Sequence, residues 1–174
     1  MSAAGAGVSA VPGTPRWAVA AAWATLLCVL PSSVWRTAVG LGVPLGWSDA
    51  HLRLERIPGY GTFYVIWLSA ATIAAAALTL GLIYRWGEQV LPTVPVVGGR
   101  RIPIWLVVGP AVLGAVIVAG LVWLSILNWS QVSGFADRPT SGWSVLMATC
   151  YAPAALWAPL LLVATVGYVR RRTH

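Results

Sequence analysis

Residues 85–103 read RWGEQVLPTVPVVGGRRIP, and this stretch decides how the rest of the chain is interpreted. It carries three arginines, three prolines and three glycines, a composition typical of a loop. An apolar run of more than twenty residues lies on each side of it. The pattern therefore predicts a loop between two membrane-spanning helices.

The composition indicates an integral membrane protein. Of the 174 residues, 59% are hydrophobic and 9% are charged, whereas a soluble domain has about a quarter of its residues charged. The net charge of +7 comes from eleven arginines without any lysine, which excludes a retinal-type Schiff base. Because the arginines flank apolar runs, they favour a bilayer with anionic headgroups as partner and argue against nucleic acid.

The fold class predicted from these runs is all-α, a polytopic membrane protein with four transmembrane helices in a bundle. The spans are expected at about 17–39, 62–84, 104–127 and 143–169. Residues 1–13 are interpreted as a disordered cytoplasmic tail and residues 170–174 as a basic cytoplasmic tail. A cleaved signal peptide is the alternative for the first span, although no small-x-small cleavage site follows it.

Prolines predict that three of the four helices are kinked. Ending the first helix at Pro31 would leave fourteen apolar residues, too few to cross a bilayer, so we expect it to continue. Pro110 is expected to bend the third span. Pro153 and Pro159 predict a bent or locally loosened fourth span.

The first loop carries the signature of a short interfacial helix. Ser48 is placed to cap it, Asp49 complements the helix dipole, and Trp47 can pack against Leu52. Pro58 is expected to end it.

Small residues recur at helical spacing in two spans. Such stripes let helix backbones approach closely in a membrane, although a substrate-lining face is the alternative for the first stripe. They comprise Ser69, Thr72, Ala76 and Thr79 in the second span and Ala111, Ala115 and Ala119 in the third.

Trp35 and Arg36, near the end of the first span, are interpreted as interface markers, with the guanidinium reaching outward to the headgroups. No Asp, Glu, His or Lys lies within a predicted span. Proton relays, ion pathways and hydrolytic centres usually need such groups. The sequence therefore argues against an ion-coupled transporter and an intramembrane hydrolase.

Four spans place both termini and residues 85–103 on one side of the membrane. That side holds seven arginines and the other holds four, so the termini are expected to be cytoplasmic in the cell membrane. Six of the seven are predicted to contact anionic lipid headgroups: Arg85, Arg100, Arg101, Arg170, Arg171 and Arg172.

A weak internal repeat with an offset of 82 residues suggests two similar helical hairpins. Chance is the alternative, because the chain is rich in tryptophan. If the repeat is real, six residues of the two outer loops come together, where they would tie the loops or bind a polar headgroup. These six are Trp47, Glu55, Arg56, Trp129, Asp137 and Arg138.

Neither a cofactor nor a metal site is predicted. Cys28 and Cys150 form no C-x-x-C motif, and both His51 and His174 lie outside the apolar runs. The cysteines are predicted at matched depth, where they would either meet or serve as small buried residues. We assign no catalytic residue.

Three stretches resemble a signature of small four-span membrane proteins of actinobacteria. The stretches are Trp86-Gly87-Glu88 with the prolines and glycines up to Pro103, residues 53–59 and residues 133–139. The resemblance covers most of the chain from Trp23 onward. It implies a membrane location and a four-span architecture, and it supplies no activity and no site.

Two function classes therefore lead from the sequence, and a third ranks below them. The first is a non-catalytic accessory or scaffold protein that packs against a membrane-protein partner through small-residue faces. The second is a binder or carrier of a lipid or small apolar ligand that uses the outer loops and a cavity opened by proline kinks. The third is an enzyme acting at the outer interface through His51, Glu55, Asp49 or Asp137.

Overall fold

A computed structural model describes residues 10–89, 102–128 and 141–173, which form helices joined by turns and short connections. The α-helices are α1 (Arg16–Gly40), α2 (Asp49–Leu54), α3 (Tyr60–Leu78), α4 (Ile104–Leu127), α5 (Gly142–Tyr151) and α6 (Trp157–Thr173). Three short 3-10 helices accompany them at Thr79–Leu82, Arg85–Gly87 and Ala152–Leu156.

Four helical segments are long and apolar enough to cross a membrane, which confirms the all-α, four-span prediction. They are Arg16–Gly40, Tyr60–Leu82, Ile104–Leu127 and Gly142–Thr173, with 25, 23, 24 and 32 residues. At about 1.5 Å per residue the shortest extends about 34 Å, more than the hydrocarbon core requires. The protein is therefore a multi-pass membrane protein. We call its fourth segment, Gly142–Thr173, the last span.

The four spans pack unequally. Helix α1 packs against α3 and against α6, whereas α4 packs against α6, and α3 and α4 are not packed against each other. Eleven residues of α1 are buried, but Ala115 is the only buried one in the fully described α4. Helix α1 is therefore the centre of the bundle, and the side between α3 and α4 is not closed by helix packing.

Small side chains bring α1 and α6 close together. Ala18 and Ala22 of α1 and Ala164 of α6 are fully buried. A Cβ added to Gly167 would lie 2.3 Å from the Cβ of Ala18. This close approach is how helices gain packing energy in lipid, where no hydrophobic force pulls them together.

The small-residue stripe predicted in the second span is a packing face. Ser69, Ala76 and Thr79 are buried and Thr72 is half-buried, and α1 is the helix against which α3 packs. In α4, Ala115 is buried against α6. The predicted ridge ends there, because Ala119 is exposed.

The predicted continuation of the first span and loosening of the last span are confirmed, whereas bends at Pro31 and Pro110 stay predictions. Helix α1 runs unbroken through Pro31. In the last span, α5 ends at Tyr151 and a 3-10 segment around Pro153 connects it to α6. Proline supplies no N–H to the hydrogen bonds of an α-helix and so weakens the helix locally, and at Pro153 the chain adopts the tighter 3-10 turn. The 3-10 ending of the second span at Thr79–Leu82 was not predicted.

We call the end of the bundle that carries α2 the α2 end. The Oγ of Ser48 accepts a hydrogen bond from the backbone N of His51 at 3.3 Å, as predicted for an N-cap. Leu52 is 8% exposed and belongs to a cluster with Trp35 and Met147. Helix α2 therefore lies against the ends of the spans.

We call the opposite end, where α1 begins and α6 ends, the terminal end. The backbone N of Val11 donates to the carbonyl O of Ile83 at 2.9 Å, so this last part of the predicted tail, 1–13, contacts the bundle. Residues 1–9 lie outside the described residues, and for them disorder stays a prediction.

Candidate functional site

A cavity of about 570 Å³ lies among all four spans; we call it the Arg36 cavity. Its residues on α1 run from Val29 to Arg36, which corresponds to about 10 Å along the helix axis. Its walls are mostly apolar. The lining comprises Val29, Ser32 and Arg36 from α1, Leu68 and Thr72 from α3, Val118, Leu121, Val122, Ser125 and Ile126 from α4, and Ala148, Tyr151, Ala152, Ala154, Ala155 and Trp157 from the last span.

Two features of the structure leave this space unfilled. The 3-10 segment of the last span contributes Ala152, Ala154 and Ala155 to the wall, and alanine side chains are too short to fill it. Helices α3 and α4 line facing sides of the cavity without packing against each other. Helix packing therefore does not close the cavity between α3 and α4.

Arg36 is the charged side chain in the lining, and it lies at the end of the cavity nearest α2. Side chains of a helix lean toward its N-terminus, which for α1 is the terminal end. The guanidinium accordingly turns into the bundle. Its Nη2 donates to the Oγ of Ser33 and to the Oγ1 of Thr72, and its Nε donates to the Oγ of Ser69, each at 3.4 Å.

These hydroxyl contacts orient Arg36 without neutralising it. A distance of 3.4 Å is longer than the usual 2.7–3.2 Å of N–H···O bonds, so each bond is weak. Ser69 and Thr72 also donate to carbonyl oxygens of their own helix, at 2.9 and 2.7 Å, so both act as acceptors toward Arg36. Within residues 10–89, 102–128 and 141–173, no carboxylate forms an ion pair with Arg36.

Aromatic side chains complete the polar part of the cavity. The guanidinium carbon of Arg36 lies 5.8 Å from the ring centroid of Tyr151, within the range of a cation–π contact. At the opposite end, the Nε1 of Trp157 is buried and has no hydrogen-bond partner among the described residues. The cavity thus offers one cation, beside an aromatic ring, within mostly apolar walls.

A second charged site lies at the terminal end, and its arginine is paired with a carboxylate. Arg171 pairs with Glu88 and also donates to the Oγ1 of Thr14 and, at 3.2 Å, to the carbonyl O of Leu82. The side chains of Arg171 and Glu88 are only 7% and 15% exposed. The Nη2 of Arg172 donates to the carbonyl O of Ile102 at 2.8 Å. These contacts fasten residues distant in sequence to the end of α6.

A polar cleft of about 380 Å³ adjoins this ion pair. Glu88, Arg171 and Arg172 all lie in its wall, and each has a protein partner: Glu88 and Arg171 each other, and Arg172 the carbonyl of Ile102. The cleft therefore contrasts with the Arg36 cavity, whose cation is not paired with a carboxylate in the described chain.

No protein-family model, curated protein or solved structure matches this chain.

The predicted outer-loop cluster is only partly within the described residues. Trp47 is half-buried and its ring lies edge-to-face against His51, with centroids 5.1 Å apart. Glu55 and Arg56 are exposed after the end of α2. The other three members, Trp129, Asp137 and Arg138, lie outside the described residues. Their meeting with the first loop stays a prediction.

The six arginines predicted to contact lipid headgroups have different surroundings. Arg85 and Arg170 are exposed at the terminal end, whereas Arg171 and Arg172 have the protein partners given above. The remaining two, Arg100 and Arg101, lie outside the described residues. Headgroup contact stays a prediction for this group, and the ion pair with Glu88 gives Arg171 a structural role.

Cys28 and Cys150 are free thiols in separate clusters. Cys28 packs with Val29 and Ala76, whereas Cys150 packs against the Trp35 cluster at the α2 end. Among the described residues, no group of three or more His, Cys, Asp and Glu side chains is arranged to hold a metal ion.

Sequence reasoning missed Arg36 as a site residue. Its interpretation as an outward-reaching interface marker is wrong, because the guanidinium turns toward Ser33, Ser69 and Thr72. Trp35 is likewise only 6% exposed and packs inside the α2 end. The available signal was an arginine inside an apolar run, which marks a functional site more often than not.

Proposed function

We propose that this protein is a non-catalytic membrane protein that binds a lipid in the Arg36 cavity. The single observation that carries the proposal is an apolar space of about 570 Å³ bordered by one arginine that is not paired with a carboxylate within the described residues. Ligand pockets have volumes of about 300–1,000 Å³ with mostly apolar walls and a few polar groups, and this cavity has both properties.

The open side between α3 and α4 supports a ligand that arrives from the bilayer. A molecule confined to the membrane can enter between these helices without crossing the α2 end. The alanine-lined wall leaves room for a ligand and so supports the other hypothesis from the sequence, a binder or carrier of an apolar ligand. In this proposal the protein–lipid contact is made within the bundle.

We further propose that the protein resides in the cell membrane with both termini in the cytoplasm. The excess of arginines on the terminal side supports this orientation. The α2 end then faces outward, and the Arg36 cavity lies in the outer half of the membrane. Exposed Arg85 and Arg170, with Arg100 and Arg101, would contact anionic headgroups of the inner leaflet.

Native mass spectrometry of the full-length protein from mild detergent tests lipid binding. We expect the wild type to retain one lipid per chain. Val122→Phe adds bulk in the cavity wall and should abolish this lipid adduct, whereas Val116→Phe makes the same change at a position 63% exposed outside the cavity. Equal lipid retention by the two variants would show that the cavity is not the binding site.

The accessory or scaffold role, which the sequence ranks first, becomes the second candidate here, and the exposure of α4 supports it. Of the other three spans, α4 packs closely against the last one. A Cβ added at Gly109 or at Gly120 would meet no atom within 4 Å. These glycines are eleven residues apart, about three turns, and therefore share a face that a partner helix could approach. The same spectra would then show a co-purifying polypeptide, which Gly109→Leu and Gly120→Leu should remove.

A further inference from the structure

We infer that the ligand of the Arg36 cavity is a single-chain amphiphile with a carboxylate head, such as a long-chain fatty acid, and that Arg36 binds the carboxylate. This inference rests on the proposed function and specifies its ligand class. Charge, depth and volume each contribute an independent argument.

The charge of the cavity matches a monoanion. Arg36 brings one positive charge, and the other side chains that line the cavity carry none. A carboxylate would neutralise this charge, whereas a phosphomonoester carries about −1.5 to −2 charges and would leave a negative excess among apolar walls. Guanidinium and carboxylate groups are also matched in shape, because two parallel N–H groups can donate to the two oxygens.

The depth of the guanidinium favours a small head. Tyr60, Phe63, Tyr64 and Trp67 are exposed in the first two turns of α3, and such aromatic residues lie at headgroup level. Ser69 and Thr72, which Arg36 contacts, lie two and five residues further along, about 3–8 Å deeper at about 1.5 Å per residue. A carboxylate without glycerol or a second chain can sink to this level.

The volume corresponds to one hydrocarbon chain. If a methylene takes about the 30 Å³ that a water molecule occupies in the liquid, about 570 Å³ accommodates roughly nineteen such groups. This is the scale of one long acyl chain with its head, and it is smaller than the two chains and headgroup of a phospholipid. From Arg36 the chain would run along α1 as far as Val29, and the part that extends beyond this stretch would leave the cavity between α3 and α4.

The test measures binding of carboxyl-¹³C palmitate to the full-length protein in phosphatidylcholine nanodiscs, with hexadecanol as the uncharged competitor. We expect the wild type to bind one palmitate and to prefer it to hexadecanol by roughly 10- to 100-fold, the range for hydrogen bonds to a charged group. Arg36→Gln should lose this preference while still binding hexadecanol. Arg36→Lys, which keeps the charge, should retain most of it.

Two controls separate this inference from the proposed function. Val122→Phe should weaken both ligands, and Val116→Phe should weaken neither. If Val122→Phe leaves both affinities unchanged, the cavity itself is not the site and the proposed function fails. If Val122→Phe abolishes binding but Arg36→Gln keeps the preference for palmitate, the cavity stands and the carboxylate assignment is overturned. A phospholipid that excess palmitate does not displace from the wild-type protein would overturn that assignment as well.

Discussion

Replacing Gly167 with alanine tests whether close approach of α1 and α6 holds the bundle together. The added Cβ would lie 2.3 Å from the Cβ of Ala18 and 3.3 Å from the ring of Trp17. Because a carbon–carbon contact of 2.3 Å is impossible, the two helices must separate locally. Overpacking of this kind typically costs about 1–3 kcal/mol.

Gly114→Ala supplies the matched control. Its added Cβ would lie 4.0 Å from the Cδ2 of Leu161, an ordinary van der Waals contact between α4 and α6. Both substitutions gain the helix propensity of alanine over glycine, about 1 kcal/mol. The difference between the two variants therefore isolates the steric cost at Gly167.

The assay is unfolding of purified protein in dodecylmaltoside micelles by added sodium dodecyl sulfate, followed by far-UV circular dichroism. We expect Gly167→Ala to be less stable than Gly114→Ala by about 1–3 kcal/mol. Indistinguishable unfolding curves for the two variants would refute the conclusion that α1 and α6 depend on a close contact at Ala18.

Three further predictions concern the two ends of the bundle. Glu88→Gln leaves the buried charge of Arg171 without its carboxylate and should lower the stability by about 3 kcal/mol in the same assay. The control Arg170→Gln, at an exposed site, should change the stability by less than about 0.5 kcal/mol. Equal effects of the two substitutions would contradict the structural role of the ion pair. Ser48→Ala removes the cap of α2 and should lower the stability of that helix by about 1 kcal/mol. The expected sign is faster hydrogen exchange at the backbone amide of His51. Unchanged exchange at this amide would exclude capping by Ser48. A tag fused to the carboxyl terminus should be protected from protease in intact cells and digested after lysis; digestion in intact cells would reverse the proposed orientation.

The spans were predictable because the hydrophobicity of consecutive residues adds up along each helix. More than twenty consecutive apolar residues are needed to cross a bilayer, and this length requirement also predicted that α1 continues through Pro31. The cap at Ser48 was predictable for a different reason, since it depends on residues three positions apart. Both signals are local in sequence.

The Arg36 cavity was not predictable, because it depends on which helices pack together. The sequence contains the alanines around Pro153 and the stripe with Ser69 and Thr72. It does not reveal that α3 and α4 remain apart, which leaves Thr72 and the alanines of the last span beside an unfilled space. Arg36 was misread because snorkelling outward and turning inward are both compatible with a position near a helix end.

The two inward arginines show why Arg36 is the better candidate for binding. Arg171 is buried beside Glu88, and this carboxylate offsets the cost of removing the guanidinium from water. Among the described residues, the polar and aromatic contacts of Arg36 are three hydroxyl groups at 3.4 Å and the ring of Tyr151, although an arginine within a span costs up to about 3 kcal/mol by insertion scales. Within the described residues, Arg171 has a carboxylate partner and Arg36 has none. A bound carboxylate would supply the missing counter-charge to Arg36. The asymmetry between these two sites is therefore the physical basis for expecting an anionic ligand at Arg36.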